Sequence, residues 1–194
     1  MESKRGSKKL LSEFARIVKQ NPHRHLFIRN RLNHLIQDDV DINMPLNQGN
    51  TLLHLAIKLN SLRLLNIFMK AKVILDLANE MGETPLHMAV LYNRIQLVKA
   101  LVQAGCDINL GGEMEQTPLH MAVLNGNEEI VTFLIQNGAD LMLVDEKNNL
   151  PIDYAIDEQD IQMIDILMKN QAVNEERAIK IRKLKNRKGE NYGI

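Results

Sequence analysis

Leu10, Leu11, Phe14, Ile17 and Val18 fall three and four residues apart, a spacing that lines one face of an α-helix. The pattern predicts a helix from Leu10 to Lys19, capped by Ser7 or Ser12 and stopped by Asn21-Pro22. A second predicted helix runs from about Arg24 to Gln37, with Leu26, Phe27, Leu32, Leu35 and Ile36 as its apolar residues. Downstream the apolar positions come in pairs of short runs. Thr84 is a cap and Pro85 takes the first helical position, where its missing N–H costs nothing; Leu86, Ala89 and Val90 then face inward. A longer helix carries Ile95, Leu97, Val98, Leu101 and Val102, and Gly105 ends it where left-handed backbone is needed.

This paired pattern repeats. TPLHMAVLYNRIQLVKALVQAGCD from Thr84 returns as TPLHMAVLNGNEEIVTFLIQNGAD from Thr117. Diverged copies begin at Thr51 (TLLHLAIKLNSLRLLNIFMKAK) and at Leu150 (LPIDYAIDEQDIQMIDILMKN), giving four copies at a period of 33 residues. Ala56, Ala89, Ala122 and Ala155 occupy the position where paired helices approach closely. Lys72 and Asp39 stand where Gly105 and Gly138 end the longer helix, so less regular helix ends are expected there. In the last copy Leu150 replaces Thr, Asp153 replaces His, and Asp157-Glu158 fall at the turn between helices. These TPLH-type motifs and their period resemble the ankyrin repeat family. The resemblance implies an all-α ankyrin-repeat solenoid of stacked helix-turn-helix units joined by short hairpin loops, with atypical ends.

The expected organisation is a disordered basic N-terminus (1–9), a divergent capping helix pair (10–43), repeats at 44–76, 77–109 and 110–142, a capping repeat at 143–170, and a basic helix and tail at 171–194. With 45% hydrophobic but only 4% aromatic residues and no Trp, the core must be built from Leu, Ile, Val, Met and Ala. No stretch is long and apolar enough for a membrane span, and MESKRGSKK is not followed by a signal-like apolar run. The single cysteine cannot form an internal disulfide, so cytoplasmic or nuclear residence is the simplest expectation; a pathogen effector delivered by a secretion machine would look the same.

A net charge of zero conceals segregation. Residues 10–110 carry eleven basic and eight acidic side chains, whereas 111–176 carry two basic against fourteen acidic, a balance of −12. Residues 177–188 then carry seven basic side chains and no acidic one. Lys180, Arg182, Lys183, Lys185, Arg187 and Lys188 are compatible with a nuclear-localisation-like patch, with a contact to nucleic acid or lipid, or with a helix lying against the acidic last repeats. Direct nucleic-acid binding is disfavoured by the lack of interleaved aromatics and by the neighbouring negative charge.

Candidate chemistry is sparse. His54, His87 and His120 are each a repeat apart, about 8–10 Å, too far to share one metal ion. In the resembling family this histidine ties neighbouring repeats by hydrogen bonding. Cys106 sits at a position filled by Ala139 one period later and has no base beside it, so it reads as a small buried hydrophobe. His23-Arg24-His25 reads as a polar helix start, and Gly111-Gly112 as a hairpin loop lacking any phosphate-binding context. No catalytic residue, cofactor or metal site is expected, and the chain is read as not an enzyme.

The resemblance implies a protein partner on the concave face, made by hairpin tips and first-helix ends. Aligned to this chain, the partner-binding positions are Leu59, Glu80, Met81, Glu83, Leu91 and Tyr92, continuing through Glu113, Met114, Gln116, Leu124 and Asn125 to Glu146, Asp157 and Glu158. Apolar side chains flanked by carboxylates would suit a basic or amphipathic segment, although alignment leaves open which leucines are exposed and which lie between repeats. Monomer or heteromeric complex is the expected state. Alternative roles under the same resemblance are an inhibitor-of-κB-like, including viral, inhibitor of a transcription factor; a regulatory subunit of a kinase or ligase; and a pathogen effector capturing a host protein.

Overall fold

The computed structural model describes residues 2–170 and 175–187. Met1, residues 171–174 and residues 188–194, including Lys188 of the candidate localisation patch, lie outside the described residues, as do the side chains of residues 2–5, Glu175 and Arg187. Eleven α-helices and no strand are present among the described residues, and the fold is all-α. The chain divides into two compact units, Met1–Asp107 and Ile108–Ile194.

The first unit contains α1 (Glu2–Gln20), α2 (His25–Gln37), α3 (Leu52–Lys58), α4 (Leu62–Lys70), α5 (Pro85–Leu91) and α6 (Ile95–Gln103). Short and long helices alternate from α3 onward. The short helices α3 and α5 pack on each other, and the long ones form a second row of α2, α4 and α6. Ala56 and Ala89 are fully buried at the crossings, and Phe14 of α1 meets Phe68 of α4 edge-on at 6.3 Å. The helix α1 corrects the expectation of a disordered residue 2–9 segment: it starts at Glu2 rather than Leu10. Its first turns contain no proline, so nothing in them stops the helix. On α2, Leu32 and Leu35 are buried as expected, but Leu26, Phe27 and Ile36 are exposed and Ile28 takes the core position.

The second unit contains α7 (Pro118–Leu124), α8 (Glu128–Gln136), α9 (Pro151–Asp157), α10 (Ile161–Met168) and α11 (Glu175–Arg187). Here α7 packs on α9, α8 on α10, and α11 lies against both α9 and α10. Ile181 of α11 is buried at that contact, while Ile179 faces outward.

Four helix pairs, α1–α2 to α7–α8, end alike. Asp39, Lys72, Gly105 and Gly138 all have left-handed φ, between 57° and 93°, so the expected irregularity at Asp39 and Lys72 does not arise. The helix-ending hydrogen bonds impose that conformation: the N–H of Val40 reaches the carbonyl of Leu35, and those of Cys106 and Ala139 reach Leu101 and Leu134 in the same register. Asn60, Asn93, Gly126 and Gln159 repeat the device between the two helices of each pair, which places the last such turn at Glu158-Gln159 rather than Asp157-Glu158.

Candidate functional site

The surface that the sequence marks consists of hairpin tips and the C-terminal ends of short helices, and local chemistry sets both. Asn79 Oδ1 accepts the N–H groups of Met81 (2.9 Å) and Glu83 (3.0 Å), closing one tip. Asp145 does the same for Lys147 and Asn149, both at 2.9 Å. The intervening hairpins have Leu46 and Gly112 at that position, neither of which can close the tip through its side chain. There the backbone turns through consecutive left-handed residues, Gln48-Gly49 and Met114-Glu115. The two kinds of tip interlock within each unit: Glu80 donates its N–H to the Gln48 carbonyl (3.1 Å), and Glu146 donates to that of Met114 (3.0 Å).

In the first unit this geometry exposes Met81, 57% accessible, together with Glu80, Leu91 and Tyr92. Leu59 is half-buried. Glu83 does not belong to the surface: it is 6% accessible, and its carboxylate accepts the Asn79 side-chain N–H at 3.1 Å, bracing the hairpin from inside. In the second unit Glu113, Met114, Leu124, Asn125, Glu146, Asp157 and Glu158 are exposed. Gln116 is half-buried and donates to the Tyr154 hydroxyl at 2.8 Å. That hydroxyl in turn donates to Asp145.

Beneath the tips, the histidines are structural. Thr51 donates its backbone N–H to His54 Nδ1 at 3.0 Å, so the ring proton sits on Nε2, which donates to the Glu83 carbonyl of the next hairpin at 3.0 Å. His120 is held likewise by Thr117 and reaches the Asn149 carbonyl at 3.1 Å. His87 is fully buried against its cap Thr84. Burial pushes the His54 imidazole down to about 4 and lowers His120 too, so these rings are neutral. A second set of ties runs along the loops: Asn43 accepts the Ile74 N–H, Asp76 that of Asp107, and Asn109 that of Asp140.

Cys106 is buried, and desolvation followed by the charges of Asp76 and Asp107 pushes its thiol up to about 12, which removes the thiolate needed for nucleophilic chemistry. Among the described residues no three His, Cys, Asp or Glu side chains are placed to hold a metal ion. No helix of the described residues is long and apolar enough to cross a membrane.

In the last repeat Asp153 replaces histidine without losing the cap, because its carboxylate accepts the Leu150 N–H at 2.8 Å. It also receives a bidentate pair from Arg177 of α11, with Nε at 2.7 Å and Nη2 at 2.6 Å. Burial pushes this carboxyl up, but the Arg177 guanidinium and the Leu150 N–H hold it below the usual range. Lys185 bonds Asp165 of α10 at 2.6 Å. Of the candidate localisation residues, Lys185 is thus engaged against α10 and the exposed Lys180 pairs with Glu176 at 3.3 Å; Arg182 and Lys183 are also exposed. Their exposed side chains are the part of the patch that faces water.

The sequence reading missed one feature of the first unit. Its polar cluster His23-Arg24-His25 lines one end of a groove between α2 and α4, whose rim carries the exposed Leu26 and Phe27. The signal was present in the helical spacing of Leu26, which falls off the face that contains Leu32 and Leu35.

Residues 25–112 and 106–177 match the family model described as Ankyrin repeats (3 copies). No curated protein matches the chain.

Proposed function

Because the chain belongs to the ankyrin repeat family, whose repeats are in general non-catalytic protein–protein interaction modules, we propose that it binds a partner protein through its hairpin tips and first-helix ends. The ligand of this reading is a basic, amphipathic segment. The observation that carries it is the exposure of Met81, Leu91 and Tyr92 in the first unit, and of Met114 and Leu124 in the second, beside exposed carboxylates. Apolar side chains that a monomer leaves in water gain by burial against a partner, at about 25 cal/mol per Å² removed from solvent. Methionines adapt to irregular shapes, and the carboxylates of Glu80, Glu113, Glu146, Asp157 and Glu158 select positive charge. Glu83 and Gln116 support this surface from behind and are left out of the contact set.

The test uses the full chain and a fluorescent amphipathic peptide of roughly 18 residues with leucines on one helical face and lysines elsewhere. Fluorescence polarisation compares the wild type with a Met81→Arg, Tyr92→Ala, Leu124→Arg variant whose helicity has been checked. The variant is expected to bind at least about tenfold more weakly, a loss of about 1.4 kcal/mol. Equal affinity would remove the hairpin side as the binding surface.

A further inference from the structure

The groove between α2 and α4 has no part in the hairpin surface, yet it is built like a binding site. Its volume is about 1020 Å³. One wall is the stripe Leu26, Arg29, Asn30 and Asn33 of α2; the other is Arg63, Asn66, Ile67 and Lys70 of α4. Both stripes follow the three- and four-residue spacing that keeps side chains on one helix face, and each runs for about 10 Å, two helical turns. The lining includes Arg24, Arg29, Arg63 and Lys70 but no Asp or Glu. None of these four cations has an ion-pair partner among the described residues. His25, at the groove's end, is held below the usual imidazole range by partial burial and then by Arg63 and His23.

Apolar surface accompanies the charge. Leu26 is 64% exposed and Phe27 43%, although both sit on a helix with an available core face. Arg24 lies 5.0 Å over the Phe27 ring, so the aromatic carries its cation with it to the rim. Four like charges around a concave surface repel one another and raise the local positive potential, and the opposite charge on a ligand relieves both. The two helical walls leave a channel into which a third helix lays one face.

We propose that this groove docks an acidic amphipathic helix of a partner protein, its leucine-type side chains against Leu26 and Phe27 and its carboxylates against Arg24, Arg29, Arg63 and Lys70. The charge preference is opposite to that of the hairpin side, so the two surfaces accept different segments.

The probe is an amphipathic peptide of roughly 18 residues with leucines on one face and glutamates elsewhere, titrated into the full chain by fluorescence polarisation. Arg63→Glu and Phe27→Ser, both exposed sites, are each expected to weaken binding at least about tenfold, whereas the Met81→Arg, Tyr92→Ala, Leu124→Arg variant binds as the wild type does. Photo-crosslinking to the wild type is expected to label α2 or α4, which keeps the test independent of how well any variant folds. Label elsewhere overturns the proposal. So does equal binding of a peptide whose leucines are replaced by serines, which indicates simple ion exchange. Failure to bind the peptide overturns it as well, and sedimentation with phosphatidylserine vesicles in that case assigns the cations to a lipid surface. Loss of the lysine peptide alone refutes the hairpin surface and leaves this groove standing.

Discussion

Lowering the pH from about 7.5 to about 5 is expected to destabilise the fold through His54. The ring is fully buried, its Nδ1 accepts the Thr51 N–H, and its Nε2–H donates to the Glu83 carbonyl. A second proton has to go on Nδ1, where it faces the Thr51 N–H and leaves a charge out of water. The folded pKa is about 4, against 6.5 for the ordinary imidazole; desolvation is the main cause and Lys58 and His87 push the same way. A base with a depressed folded pKa gives stability that is present above 6.5 and is lost between 6.5 and about 4, because the unfolded chain takes the proton first. At pH 5 the two titrations differ by about 2 kcal/mol in free energy. With a urea slope of roughly 2–3 kcal/mol per M, the midpoint falls by about 0.7–1 M. His120, also lowered, adds in the same direction. The control is His54→Gln, which keeps a side chain suited to the third helical position of a capping box but does not titrate. Its midpoint should vary less over the same range. A native His54 that titrates near 6.5 by NMR, or an identical pH slope in the two proteins, would refute the reasoning.

Two further outcomes follow from backbone and end-cap geometry. Glu115 holds a φ of 57° at the hairpin position where Gly49 and Gly82 stand in other repeats, and its side chain is exposed, so Glu115→Gly should raise the urea midpoint by the equivalent of about 0.5–1 kcal/mol. A lower midpoint would show that the carboxylate contributes more than the strain costs. Arg177→Ala removes both hydrogen bonds to Asp153 and leaves that half-buried carboxylate with only the Leu150 N–H; about 1–3 kcal/mol of local stability should go with it, read as faster amide hydrogen exchange along α11 with unchanged protection in α7 and α8. Uniform acceleration across the unit would mean that α11 is not a separable element.

The repeat register was legible because the chain writes it twice in nearly the same letters. Thr84 and Thr117, the prolines after them and the histidines three residues on fix caps whose geometry the structure reproduces closely. Exposure was less legible. Glu83 falls at a hairpin-tip position by alignment, yet the Asn79 side-chain N–H bonds its carboxylate and holds it inward. Leu26 and Phe27 misled for a related reason: in a helix that packs on one side only, an apolar residue can sit on either face, and Ile28 shows which face was used. Asp39 and Lys72 adopt left-handed backbone against an intrinsic preference worth about 1 kcal/mol; after Asp39 the Val40 N–H closes on the Leu35 carbonyl, and the residues that follow the two, Val40 and Val73, are buried.

The substitution of Asp153 for histidine resolves a problem that every finite repeat array has. His54 and His120 each pass a proton donor forward to the hairpin of the following repeat, Glu83 in one case and Asn149 in the other. Among the described residues it is α11, not a further hairpin, that packs against α9 and α10, and a buried histidine Nε2–H left without an acceptor there would cost about 1–3 kcal/mol. Asp153 retains the backward half of the motif, accepting from Leu150, and turns the forward half from donor to acceptor. An acceptor can be met by a side chain from outside the repeat pattern, and Arg177 supplies it in a geometry that fits a carboxylate on both oxygens. Ile181 one turn later covers the apolar end of the stack, and Lys185 closes on Asp165. The basic composition of α11 is therefore partly explained by what it covers: an acidic terminal repeat selects a cationic lid. Arg182 and Lys183, exposed and forming no ion pair with α9 or α10 among the described residues, are the charges the packing does not require.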